Sequence, residues 1–211
     1  MNLSINSNTI LYSERGIRVI KCDYSNITAK YNSLDGCAYG ITMRENDDAE
    51  IMIYENEINQ NLLPQNYGIE GINISQVIGI PAMVTVSGNR ISKIRTGIVG
   101  NNCEGILIEN NEVTFIPNIN GAVKYGIRIN NCSGAQIIGN LIVKQGNAAQ
   151  NGQQNQLFGI NVQLSSPIRI YDNTIARCGT AIRILGDNSG ASMPRRSSVA
   201  TVWWTTITVY D

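Results

Sequence analysis

Four carboxylates stand close together near the start of the chain: Asp23, Glu45, Asp47 and Asp48. Breaking a sugar polymer by hydrolysis or elimination needs such a group. One acid is held protonated and another ionised, or several gather on a calcium ion. Asp23, Asp47 and Asp48 are therefore the candidates for catalysis, with Arg18, Lys21 and Arg44 near enough to hold an acidic sugar. The other familiar routes are closed, because the chain contains no histidine. That removes the Ser-His-Asp triad, the Cys-His pair and His-ligated zinc together. The five cysteines show no C-x-x-C and no metal-ligand spacing, so neither a metal site nor a disulfide framework is expected. No cofactor is implied, except calcium if the chain is a lyase. A plainer reading stays open beside the catalytic one: aspartate in a turn caps a chain reversal, and Arg18 or Arg44 then only neutralises it.

The elements that would position these residues follow from composition and period. Lys plus Arg number 16 and Asp plus Glu number 16, a net charge of zero, and charged residues make up only 15% of the chain. That balance argues against a nucleic-acid partner. No apolar run reaches the roughly 20 residues of a membrane span, and the first ten residues have no signal-peptide pattern, so no membrane partner is expected. The 33 isoleucines and 27 asparagines suit β-branched strands broken by turn amides.

The chain repeats itself. Residues 97–113 read GIVGNNCEGILIENNEV, 126–142 read GIRINNCSGAQIIGNLI, and 159–175 read GINVQLSSPIRIYDNTI. Blocks at 16–34 and 40–58 share the same beginning and ending with two extra residues between. The block at 71–91 is looser, because Gly68 offers a second start. A closing asparagine recurs at Asn8, Asn32, Asn56, Asn89, Asn111, Asn140 and Asn173. Within each block apolar residues alternate with polar ones, so each holds short strands with one buried face. Three strands per block and no helical pattern can bury those faces only by coiling, with equivalent strands stacked in parallel about 4.8 Å apart.

The G-I-x-[IV] and I-x-I-x-x-N-x-[IV] pattern, from Leu3 to Leu185, resembles the right-handed parallel β-helix of the pectin-lyase-like superfamily. The resemblance implies an all-β fold of about seven coils with three short strands each. It implies that the recurrent Asn sits in the tight turn between second and third strands, where left-handed backbone and amide stacking both suit it. It leaves function open, since this superfamily includes polysaccharide lyases, hydrolases, esterases and epimerases, phage tailspikes, adhesins and modules without activity. The Gly-His-Gly and Arg-Ile-Lys elements of polygalacturonases are missing, as is the Asp-Pro-His-Asp element of alginate epimerases. Pro194-Arg195 reverses the Arg-Pro element of lyases.

Coil stacking then makes columns. The outward positions of the first strand read Arg18, Thr42, Asn73, Val99, Arg128, Asn161 and Arg183. The next column reads Ile20, Arg44, Ser75, Asn101, Asn130, Gln163 and Leu185. Planar amides and guanidiniums at coil spacing form a long, shallow donor surface of the kind a glycan chain requires. The candidate binding residues are Arg18, Arg44, Asn73, Asn101, Arg128, Asn130, Asn161 and Gln163. Cys22, Asn46, Cys103, Cys132 and Ser165 align at an inward corner, which predicts buried, inert thiols. Tyr39, Tyr125 and Phe158 share the parity of the inward isoleucines two places on, which predicts a core aromatic stack. The inserts at 59–67, 114–125 and 143–158 all join a third strand to the next repeat, so they should line one edge of the first sheet.

Two domains are expected: a β-helix over 1–185, and over 186–211 a linker with a C-terminal strand that caps the last coil or assembles a homotrimer. The chain enters at a second strand with no capping helix, so a neighbouring domain or chain is expected over that open end. These features favour a module that recognises surface polysaccharide, as in a tailspike or adhesin on a virion or cell surface. A polysaccharide lyase or hydrolase and a pure spacer are the alternatives.

Overall fold

The computed structural model describes residues 1–59, 68–79, 83–115, 123–144, 157–165 and 167–186, together with the backbone of 208–210. Every regular element among the described residues is a strand. The strands form three sheets, and every strand pair is parallel. Each coil gives one strand to each sheet in turn. The first sheet has seven strands, from Arg15–Ile20 to Thr180–Leu185, and the second seven, from Asn2–Asn6 to Ile168–Tyr171. The third runs from Thr9–Leu11 to Thr174–Ala176, and Thr208–Tyr210 adds an eighth strand beside Thr174–Ala176. The inserts at 60–67, 116–122 and 145–156 and the tandem Trp203-Trp204 lie outside the described residues.

Period-two alternation decides what faces inward. Ile17, Ile41, Ile72, Ile98, Ile127 and Ile160 pair in register along the first sheet, and all are buried. Ile27, Ile51, Val84 and Ile106 do the same on the second. Like side chains stacked on like side chains fill the interior as one continuous column, each fully buried isoleucine contributing about 2 kcal/mol. The looser repeat enters at Gly71 rather than Gly68, since Ile72 pairs with both Ile41 and Ile98. The repeat glycine is there because nothing larger fits. A Cβ on Gly126 would stand 2.5 Å from the Gly159 carbonyl oxygen and 2.6 Å from Ile142 Cγ2.

The closing asparagines form a continuous ladder. Asn56 Nδ2 donates to Asn89 Oδ1 at 2.9 Å and its backbone N–H donates to the same oxygen at 3.0 Å; Asn89 repeats both bonds to Asn111. The remaining amide proton reaches carbonyls, Ile53 O and Ser87 O in the case of Asn89. These asparagines are not the left-handed residues of the turn. That conformation falls one place earlier, on Tyr31, Glu55, Gly88, Asn110, Gly139 and Asp172. The asparagine is required for its side chain, which satisfies buried backbone of the preceding coil and of its own turn and bonds the asparagine side chain of the next coil.

Candidate functional site

The outward face of the first sheet holds a long groove of about 610 Å³. The two columns read from the sequence pair in register: Arg18 with Thr42, Thr42 with Asn73, Asn73 with Val99, and Val99 with Arg128. Arg44, Ser75, Asn101 and Asn130 follow in the same way. Six of the eight candidate binding residues line the groove: Arg18, Arg44, Asn73, Asn101, Arg128 and Asn130. Asn130 Nδ2 donates to Asn101 Oδ1 at 2.8 Å, so the two amides are fixed as a pair. Asn73 Nδ2 donates to Glu70 Oε2 at 2.6 Å, and its own Oδ1 is buried without a partner. Arg44 is steered by Glu45 at 2.7 Å and donates to Gln76 Oε1 at 3.2 Å.

Asn161 and Gln163 lie beyond the groove lining. Asn161 is only 1% exposed, and its Oδ1 accepts from Arg183 Nε at 2.6 Å. Arg183, one coil further on, folds over both Asn161 and the ring of Phe158, with its guanidinium 3.9 Å from the ring centre. Asn161 is thus covered by its own neighbour, although its strand position is outward.

The aromatic residues depart from the core stack expected of them. Tyr39 lines the groove, and the Arg128 guanidinium stands over the Tyr125 ring at 5.2 Å. Tyr125 and Phe158 stack at 5.6 Å with ring planes 18° apart, on the outer face. Simple parity fails because Gly126 and Ile127 are both buried. Pairing passes from Tyr125 with Phe158 directly to Ile127 with Ile160, skipping the glycine. The irregularity at Gly126 turns the preceding residue outward. The same shift brings Arg15, Tyr39 and Glu70 to the groove as a third column, which alternation alone misses. The signal for it was the adjacent Gly-Ile pair that opens every repeat.

The three candidate catalytic acids lie at the corner after the first sheet and do not line the groove. Asp23 and Asp47 are stacked on successive coils, and the Asp47 backbone N–H donates to Asp23 Oδ1 at 3.0 Å. That bond caps the turn. Asp48 sits in left-handed backbone, φ 50°. Among the described residues Glu70 is the single carboxylate of the groove lining. Among the described residues no three Asp, Glu or Cys side chains gather closely enough to hold a metal ion.

The cysteine column is inward and aligned as expected. The Cys22 backbone N–H donates to Asn46 Oδ1 at 2.9 Å, and Cys132 N–H donates to Ser165 Oγ at 2.9 Å. All five cysteines are free thiols. The Cys103 thiol is held far above the ordinary range by its hydrogen bond to Cys132 and by burial; the same bond draws Cys132 down. Burial pushes Cys37 up, and Cys178 up to about 12.

Three parallel sheets wound from one chain, with an internal asparagine ladder and an open groove along one face, define a right-handed parallel β-helix. Over residues 67–200 the chain matches the family described as right handed beta helix region, and it belongs to that family. The architecture is consistent with the pectin-lyase-like superfamily. Comparison with the curated proteins finds no relative.

Proposed function

We propose that this chain is a polysaccharide-recognising β-helix module, of the tailspike or adhesin kind, whose ligand lies along the first-sheet groove. The observation that carries this reading is the convergence of Arg18, Arg44, Asn73, Asn101, Arg128 and Asn130 in one elongated groove edged by Tyr39. Guanidiniums and amides hydrogen-bond sugar hydroxyls in fixed planar geometry, and a tyrosine ring covers the apolar face of a sugar. Among the described lining residues four arginines, Arg15, Arg18, Arg44 and Arg128, stand with one carboxylate, Glu70; Glu14 and Glu45 beside the groove pair Arg15 and Arg44, so the excess rests on Arg18 and Arg128. That excess of positive charge suits a glycan bearing acid groups.

A lyase or hydrolase acting through Asp23, Asp47 and Asp48 has less support, because these acids stand outside the groove and Asp23 is engaged in capping the turn. Binding across a panel of neutral and acidic polysaccharides tests the proposal. The wild-type chain retains at least one acidic member, releases no reducing ends or unsaturated products, and weakens as salt rises. The double variant Arg44→Ala/Arg128→Ala loses the interaction. Retention of binding by that variant sinks the groove, and product formation favours the enzyme. Light scattering decides whether the binding unit is a trimer.

A further inference from the structure

The inward column at the corner after the first sheet sets two thiols on neighbouring coils. Val77, Cys103, Cys132 and Ser165 succeed one another there. The two coils are clamped in register on either side of the thiols. Asn101 pairs with Asn130 before them, Glu104 pairs with Ser133 after them, and Ser133 N–H donates to Cys103 O at 3.0 Å. Side chains repeat the clamp, since Asn131 Nδ2 donates to Asn102 Oδ1 at 2.7 Å. In-register residues of stacked coils stand about 4.8 Å apart. A disulfide needs Cα atoms about 4.4–6.8 Å apart, so the fold already meets that condition.

The two sulfurs are in contact. Cys103 and Cys132 hydrogen-bond side chain to side chain, and the Cys132 sulfur also bonds the Cys103 backbone. It thereby fills the place that Asn46 Oδ1 fills for Cys22 N–H and Ser165 Oγ for Cys132 N–H. Bonds that converge on one sulfur favour its thiolate, and Cys132 is drawn down although burial opposes it. The residues are only 1% and 3% exposed, yet both back a corner cavity of about 610 Å³ that Ile78, Glu104, Ser133 and Leu164 also line. That cavity gives a small oxidant a way to the sulfurs.

We propose that Cys103 and Cys132 are a peroxide-sensitive pair that closes into a disulfide between neighbouring coils. The Cys132 thiolate attacks one oxygen of hydrogen peroxide, the O–O bond breaks, and the departing hydroxide takes up the proton that Cys132 gave away. The product at Cys132 is a sulfenic acid. The Cys103 sulfur then attacks the sulfenic sulfur, and its proton leaves with the hydroxyl as water. In sum two thiols give up two electrons and two hydrogens, and one peroxide becomes two waters. The link closes a loop that persists in the unfolded chain, so the oxidised protein withstands more heat. It stands independently of what the groove binds.

The test treats the reduced chain with hydrogen peroxide at neutral pH and maps it by mass spectrometry without reductant. The expected product carries one intramolecular Cys103–Cys132 link, weighs less by two hydrogens, and melts at a higher temperature. Dithiothreitol reverses all three changes. Cys103→Val copies Val77 and Cys132→Ser copies Ser165, so each suits the column. Neither variant forms the link. Cys103→Val instead accumulates a sulfenic acid at Cys132 that dimedone traps, whereas Cys132→Ser yields no adduct at Cys103. A folded wild-type chain that stays reduced or links other cysteines first overturns the proposal, as does a Cys103→Val variant with no adduct at Cys132.

Discussion

The Arg183 guanidinium lies 3.9 Å from the ring centre of Phe158 while its Nε donates to Asn161 Oδ1 at 2.6 Å. One side chain from the last coil thus shields an outward aromatic ring and satisfies a buried amide. Arg183→Ala removes the cation–π contact and leaves Asn161 unpaired, a loss of about 2 kcal/mol. Urea unfolding reads it directly. Lysine at the same position restores little, having no planar fork to span both partners. An unchanged midpoint for the alanine variant contradicts this role.

The asparagine ladder predicts a larger effect. Asn89→Ala deletes the acceptor of two bonds from Asn56 and three donations from its own amide. Leaving buried backbone groups of adjacent coils unpaired costs on the order of 3 kcal/mol or more. Asn110→Ala, at the exposed left-handed position one coil further on, costs about 1 kcal/mol. Equal losses would mean that the ladder contributes only turn geometry.

The repeat glycine is a matter of space. Gly126→Ala places a methyl against the Gly159 carbonyl and Ile142, forcing neighbouring coils apart at a cost of about 3 kcal/mol. Gly186→Ala, which meets nothing within 4 Å, is the control and leaves stability near wild type. Thermal unfolding of the two variants side by side checks the contrast.

Alkaline pH should destabilise the fold through its thiols. Cys178 is pushed up to about 12 in the native state against an ordinary value of 9.0, and burial also raises Cys37. Between those values the folded chain holds protons that the unfolded chain has released. The contribution is therefore complete below about pH 9 and is lost as pH climbs toward 12. Cys178→Ala should flatten that decline, and native Cys178 should resist iodoacetamide at pH 8 until denaturant is added. Rapid native alkylation would contradict the burial.

Turn capping by Asp23 has its own signature. Asp23→Asn keeps an acceptor for the Asp47 N–H and keeps the fold, whereas Asp23→Ala costs about 1 kcal/mol. A sugar-cleaving activity that Asp23→Asn abolishes would instead make the carboxylate catalytic.

Much of this molecule is written in its one-dimensional pattern. Alternating isoleucines, the recurrence of a repeat glycine and a closing asparagine in every block, and the absence of any helical period determine three strands per coil. Once coils stack, the columns from Arg18 to Arg128 and from Arg44 to Asn130 are fixed as well, because register is set residue by residue. Only the folded chain decides where that regularity gives way. The irregularity at Gly126 sends Tyr125 and Phe158 outward, since two consecutive residues face the core there. Arg183 covers Asn161 because a long side chain reaches across a coil, and strand parity carries no information on reach. Ile78 and Leu164 edge one corner cavity although 86 residues apart in number, since coil stacking gathers positions that no local period connects.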